Sequence, residues 1–314
     1  MNIPGTEVTG GQSNITKGIL YAVVAATLWG VSGSFGQYVF QEKQLNVEWM
    51  IMVRMLFSGI VLLLLGLRKN KQEVLSVWKN KKDARQLFTF SITGMLAVQY
   101  TYFAAIKHSN AATATILQYA GPVLIAIYLA LKQKRIPKFL EIFAILLAVA
   151  GTILLVTHAD FNQLTITPTA LLFGIASAVA LAIYTLQPVG LLRKYNSSVV
   201  IGWGMLIGGI AFSFIKAPWA IEGIWDLSTV VSVIFIILFG TLIAFYAYLT
   251  AVKMIGGQKT SLLASAEPLS ATLIAVLWLQ TPFNWIDYLG SFCIIATIFL
   301  LSYQPKAKTI EVAE

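Results

Sequence analysis

Two stretches decide the fold: GMLAVQYTYFAAIK at residues 94–107 and, 146 residues further on, GTLIAFYAYLTAVK at residues 240–253. The displacement lays Gly94 on Gly240, Tyr100 on Tyr246, Tyr102 on Tyr248 and Lys107 on Lys253; carried onward without a gap, it lays Pro122 on Pro268 and Glu141 on Asp287. Leu, Ile and Val match easily between any two apolar sequences. Tyr, Lys and Pro do not, so the coincidence reads as an internal duplication. The beginnings of the two halves match poorly at this offset, and there the repeat rests on counting segments.

Composition says what kind of unit is duplicated. Only 11% of the 314 residues are charged, against roughly 25% in a typical soluble domain. Hydrophobic residues make up 58%, and the mean hydropathy is +0.78. A soluble globule is excluded. In lipid a backbone must satisfy its amides within its own segment, which predicts helices. Cys293 stands alone in an apolar run, so no intrachain disulfide or cysteine metal site is available. The formal charge of +9 does not imply nucleic acid, because Lys and Arg punctuate apolar segments instead of clustering on a face.

Crossing a bilayer takes about 20 apolar residues. Ten such segments are expected, at 17–40, 47–67, 86–106, 111–131, 139–156, 168–192, 197–215, 227–252, 260–279 and 285–303. The fold class is an all-α polytopic membrane protein: ten transmembrane helices in two inverted five-helix repeats, residues 17–156 and 168–303, between polar tails at 1–16 and 304–314. The first tail lacks the apolar character of a signal peptide, so the first span is expected to be retained. Most of the 22 basic residues fall on one side if the N-terminus is inside, notably Arg68 to Arg85, Lys132 to Lys138, Arg193 and Lys194. Positive charge is held on the cytoplasmic side during insertion, which predicts cytoplasmic termini. An odd number of spans per half inverts the second copy: residues 132–138 carry four basic side chains and their counterparts 278–284 carry none. Inverted halves can open to one side or the other, the architecture of alternating access.

Three features resemble the drug/metabolite transporter superfamily: this organisation, Leu28-Trp29-Gly30 in the first span, and a proline midway along the fourth helix of each half. The Ala266-Glu267-Pro268-Leu269 stretch is similar to the second repeat of its EamA group. The Glu often found where the fourth helix of each repeat ends is replaced here by Gln133 and Arg135 in one half and by Gln280 and Thr281 in the other. Its role cannot be carried over. The resemblance implies a permease of a plasma membrane, of bacterial type, whose cargo is an amino acid or related amphiphile.

Glu267 is the leading candidate for a functional residue. It lies about 12 Å into its span, where a carboxylate is expensive, faces the bundle interior, and can exchange a proton or pair with a cationic group of the cargo; the bland alternative is a carboxylate that only locks helices together. Arg54, about 10 Å from the outer end of the second span, pairs with Glu267 or a substrate carboxylate, or else snorkels to the lipid phosphates. Pro122 and Pro268 each remove a helical hydrogen bond and read as kinks at a hinge or gate, or as static bends; Gly121 is expected to loosen its helix further. A substrate-lining role is expected for Trp29, Tyr100, Gln118, Tyr119, Tyr246 and Ser265, with Ser32, Gln99, Tyr102, Tyr184 and Tyr248 near the same level. Gly30, Gly33, Gly36, Gly204 and Gly208 permit close helix approach. His108 and His158 are too far apart for a metal site or a proton relay.

No phosphate-binding Gly-Lys loop is present, which argues against ATP as the energy source. No cofactor or metal is called for. The expected function is a secondary transporter exporting a small metabolite against protons. A facilitator or uptake carrier of the same fold, and an intramembrane enzyme acting on a lipid-like substrate, are the alternatives. An enzyme would need a nucleophile with its base, paired acids or metal ligands at one depth, and Ser32 and Ser34 have no nearby His. Expected partners are the small-molecule substrate, the lipid bilayer and coupling protons, with no nucleic acid; one chain or a homodimer is left open.

Overall fold

The computed structural model describes residues 9–134, 136, 139–157, 166–264, 266–280 and 282–302. Among the described residues all regular structure is helical, in segments labelled here α1 (residues 9–42), α2 (Val47–Ser76), α3 (residues 81–108), α4 (Ala111–Lys132), α5 (Phe139–Thr157), α6 (Pro168–Lys194), α7 (Ser197–Ser213), α8 (Leu227–Ile255), α9 (residues 257–277) and α10 (Trp285–Ser302). Six of these hold stretches long and apolar enough to cross a membrane, and shorter apolar helices lie at Ile142–Gly151, Ser197–Ser213 and Trp285–Thr297. α1 begins earlier than the expected 17, and α2 runs on past its apolar part.

The loops end in residues that cap helices. Asn46 accepts from the Trp49 amide, Asn110 from Thr113, Thr167 from Ala170 and Asp226 from Thr229, each filling an amide that the first turn leaves unpaired. α4 and α9 both run out into a left-handed residue, Lys134 and Gln280, each at φ 50°. Those two positions are 146 residues apart, so the duplication extends to backbone conformation.

Helix pairing repeats the same symmetry. α2 packs on α7 and α5 on α10; α3 and α4 pack on α6, as α8 and α9 pack on α1. Replacing each helix by the one five places along returns the same set of pairings. Between lipid-facing helices there is no hydrophobic gain, so close packing at small residues holds them together. Gly59 lies against the backbone of Leu206, Gly209 against Leu56, and Gly151 against the Gly290 carbonyl. Leu64, Leu65, Leu146, Leu172, Leu273 and Phe292 point outward and are exposed, an apolar girdle that suits lipid.

Candidate functional site

Both fourth helices are broken. α4 runs helically through Gln118, turns at Tyr119 and Ala120, and restarts at Gly121 with Pro122 in its first turn. α9 stops at Leu263 and restarts at Ala266. Kinks in continuous helices were expected; the structure corrects this to an interruption just before each proline, where a missing N–H does no harm because first-turn amides are unpaired anyway. Gly121 does not loosen its helix. It brings α4 against Ala178 and Leu181 of α6.

The two breaks meet. Pro268 cannot donate to the Ala264 carbonyl, and the Tyr119 hydroxyl from the break in α4 donates to that oxygen instead. The same hydroxyl lies 3.3 Å from Oε2 of Glu267. Glu267 sits in the first turn after the break, 3% exposed. On its other flank Gly30 lets α1 approach, since a Cβ there would stand 2.5 Å from the Glu267 carbonyl oxygen.

Beside these breaks lies a narrow cavity drawn from both halves. α1 lends Trp29 and Ser32, α2 Arg54, α3 Gln99, Tyr102 and Phe103, α4 Gln118, α6 Tyr184, α8 Gly240 and Phe245, and α9 Glu267. Trp29 is held by ring contacts to Phe245 at 4.9 Å and Tyr248 at 4.8 Å. Tyr102 and Tyr248, equivalent in the repeat, each bond a threonine: Thr115 at 2.7 Å and Thr185 at 3.0 Å.

Arg54 does not reach outward. It is 3% exposed, with its guanidinium carbon 4.3 Å from the Phe103 ring centre and 5.8 Å from that of Phe245. Among the described residues no ion pair joins it to Glu267, and its Nε and Nη1 have no hydrogen-bond partner. The snorkelling alternative is therefore corrected: the side chain is buried with its guanidinium against Phe103 of α3 and Phe245 of α8.

The expected site residues divide. Trp29, Arg54, Gln118 and Glu267 come together on the cavity wall, and Tyr119 stands behind it, bonded to Glu267. Tyr100 lies elsewhere, between Phe173 and Phe212. Tyr246 is 40% exposed and does not line the cavity. Ser265 lies outside the described residues, as does His158; His108 stacks on Phe173. Phe103 and Phe245 were not anticipated, since an aromatic in an apolar segment gives no distinguishing signal.

Two polar clusters fasten the halves at opposite ends of α2. At its start Lys43 pairs with Asp226 at 2.6 Å, the Ile224 amide donates to the Lys43 carbonyl, and Trp49 Nε1 donates to the Pro218 carbonyl. At its far end Asp83 receives Lys194 at 2.7 Å and the Tyr195 hydroxyl at 2.9 Å, while Gln86 and Gln187 each donate to the other's backbone carbonyl at 2.8 Å. The Lys194 ammonium, with help from Tyr195, holds the Asp83 carboxyl below the usual range. Hydrogen bonds from Lys43, then Ser228 and Thr229, do the same to Asp226.

The EamA-like transporter family matches this geometry's owner twice, over residues 16–157 and 168–303. The chain belongs to that family. It is similar to YicL of Salmonella typhimurium, an uncharacterized inner membrane transporter, at 37% identity over 93% of this chain and 97% of the relative. The threonine/homoserine exporter RhtA of the same organism is 23% identical over 74% of this chain and 77% of its own length. A solved crystal structure at 18% identity shares the fold with a TM-score of 0.63, covering 92% of this chain and 96% of that one. This EamA-like protein is thus a polytopic membrane transporter, as the resemblance through Trp29 and Glu267 implied.

Proposed function

We propose that this EamA-like chain is a secondary transporter of a small organic metabolite, exporting an amino acid or related amphiphile from the cytoplasm in exchange for protons. The observation that carries the reading is Glu267: a buried carboxylate on the wall of a central cavity, at a helix break, bonded to Tyr119. Intramembrane carboxylates facing a cavity and interrupted helices at the contact of two repeats are the parts from which proton-coupled carriers are built. Likeness to a threonine/homoserine exporter supplies the cargo class and the direction.

In this mechanism the repeats 17–156 and 168–303 insert in opposite senses, with both termini in the cytoplasm of the cell that holds the protein in its plasma membrane. Tyr119 has one proton to give: ionised Glu267 draws it away from the Ala264 carbonyl, whereas protonated Glu267 donates to the Tyr119 oxygen and leaves that proton directed at Ala264. Proton uptake therefore rewires the contact between the two breaks, α4 at Tyr119 and α9 at Ala264. That contact lies where the fourth helices of the two halves meet, a place from which rocking of one half against the other is controlled.

The test is flux of threonine in reconstituted vesicles under an imposed pH gradient. Glu267→Gln should lose gradient-driven flux while remaining folded. Undiminished gradient-driven flux in that variant removes Glu267 from coupling.

A further inference from the structure

The cavity wall holds an unusual share of unmet hydrogen-bonding capacity. Trp29 Nε1, Ser32 Oγ, Arg54 Nε and Nη1, Gln99 Oε1 and the Tyr184 hydroxyl are all buried without a partner, and all belong to residues lining this one cavity. A buried polar atom left without a partner is costly, and a buried guanidinium more so. Contact with the Phe103 face, at 4.3 Å, offsets part of the charge but satisfies no N–H. Glu267 lies on the same cavity wall and is not paired with Arg54, so the site offers a positive and a negative group without neutralising either.

We infer that Arg54 is the carboxylate anchor of the transport site, so that the substrate must carry a carboxylate beside an amino group turned toward Glu267. The planar guanidinium fork matches a carboxylate in two parallel hydrogen bonds, and Trp29 Nε1 adds another donor from the facing helix. Phe103 holds the guanidinium plane, which spares the substrate the cost of ordering it. An inorganic phosphate or other multiply charged anion fits less well, because it brings excess negative charge toward Glu267 with no cation to accompany it. Amines and neutral amphiphiles leave the Arg54 donors bare, and the site rejects them for the reason that a polar pocket rejects an analogue lacking the matching group.

This inference rests on the transport reading and narrows it, and the experiment separates the two. Thermal stabilisation of the purified chain is measured with the twenty amino acids beside their carboxamides, in the parent and in Arg54→Lys and Arg54→Met. Stabilisation should be confined to acids, with the preferred acid binding about ten- to a hundredfold more tightly than its amide. In Arg54→Met that ratio should collapse toward one, and Arg54→Lys should fall between. A merely structural arginine would weaken acid and amide alike. If neither variant folds, the acid-to-amide ratio in the parent still decides. Equal stabilisation by amides, or stabilisation by no acid at all, overturns the anchor. Gradient-driven flux by the parent can persist in either case, and its loss alone would fell the transport reading.

Discussion

At the scale of single residues, Tyr119 does more than its chemistry suggests. One hydroxyl supplies a donor to the carbonyl released by Pro268 and stands beside Glu267. Tyr119→Phe keeps the ring and its packing but withdraws that proton. Because Ala264 still accepts from the Glu267 amide, the expected loss is modest, about 1 kcal/mol. Thermal unfolding in detergent should show a lower Tm, and the pH profile of flux should shift with it. An unchanged Tm together with an unchanged profile would show that the hydroxyl is a bystander.

The sequence drew attention to the right kinds of residue here and could not choose among them. Tyr100 and Tyr102 are two apart, which on a helix is about 200° of rotation, so they face nearly opposite ways. Both recur in the second half as Tyr246 and Tyr248. Only Tyr102 and Tyr248 turn inward to their threonine partners. Polarity marked the pairs; orientation needed the neighbours.

At the scale of elements, α2 and α7 approach closely enough that a glycine is required. A Cβ on Gly59 would stand 2.6 Å from the Leu206 amide nitrogen and 2.9 Å from its Cα, and backbone cannot step aside as a flexible side chain can. Gly59→Ala should lower stability by about 1–3 kcal/mol, read as a fall in Tm; an unchanged Tm would show that the two helices can move apart without cost. The far end of α2 gives a pH-dependent case. Asp83 is held ionised by Lys194 in the folded state, so its contribution is full above the ordinary carboxylate value near 4 and is lost as pH falls through its lower folded value. Asp83→Asn should therefore flatten the fall in Tm on acidification below about pH 4 relative to the parent chain. A parallel pair of curves would mean that the ion pair contributes nothing to folding.

At the scale of the whole molecule, the two polar fasteners are related by the same exchange that relates the helices. Lys43 just follows the first helix of its half and Lys194 ends the first helix of the other, and Asp226 and Asp83 each stand near the start of a third helix. In the proposed inverted topology these equivalent ion pairs lie on opposite faces of the membrane. With Cys293 replaced by serine, single cysteines introduced at Gln44 and at Asn196 should label from opposite sides in intact cells and in inverted vesicles. Labelling of both from one side would abolish the inverted arrangement and the alternating access built on it.

What the amino-acid sequence determined alone was membrane class, helix placement, duplication and family. Each follows from local chemistry: apolar length, basic punctuation, and Tyr, Lys and Pro recurring at one offset. Glu267 and Arg54 were legible too, because a charge within an apolar span stands out against its surroundings. Tertiary structure decided that Arg54 is enclosed, that it is not spent on Glu267, and that Phe103 and Phe245 hold it. It also decided that the prolines restart helices and that their breaks touch. Those outcomes depend on which helix faces lie against one another, and in a chain whose every span is apolar around most of its circumference, periodicity leaves that choice to packing.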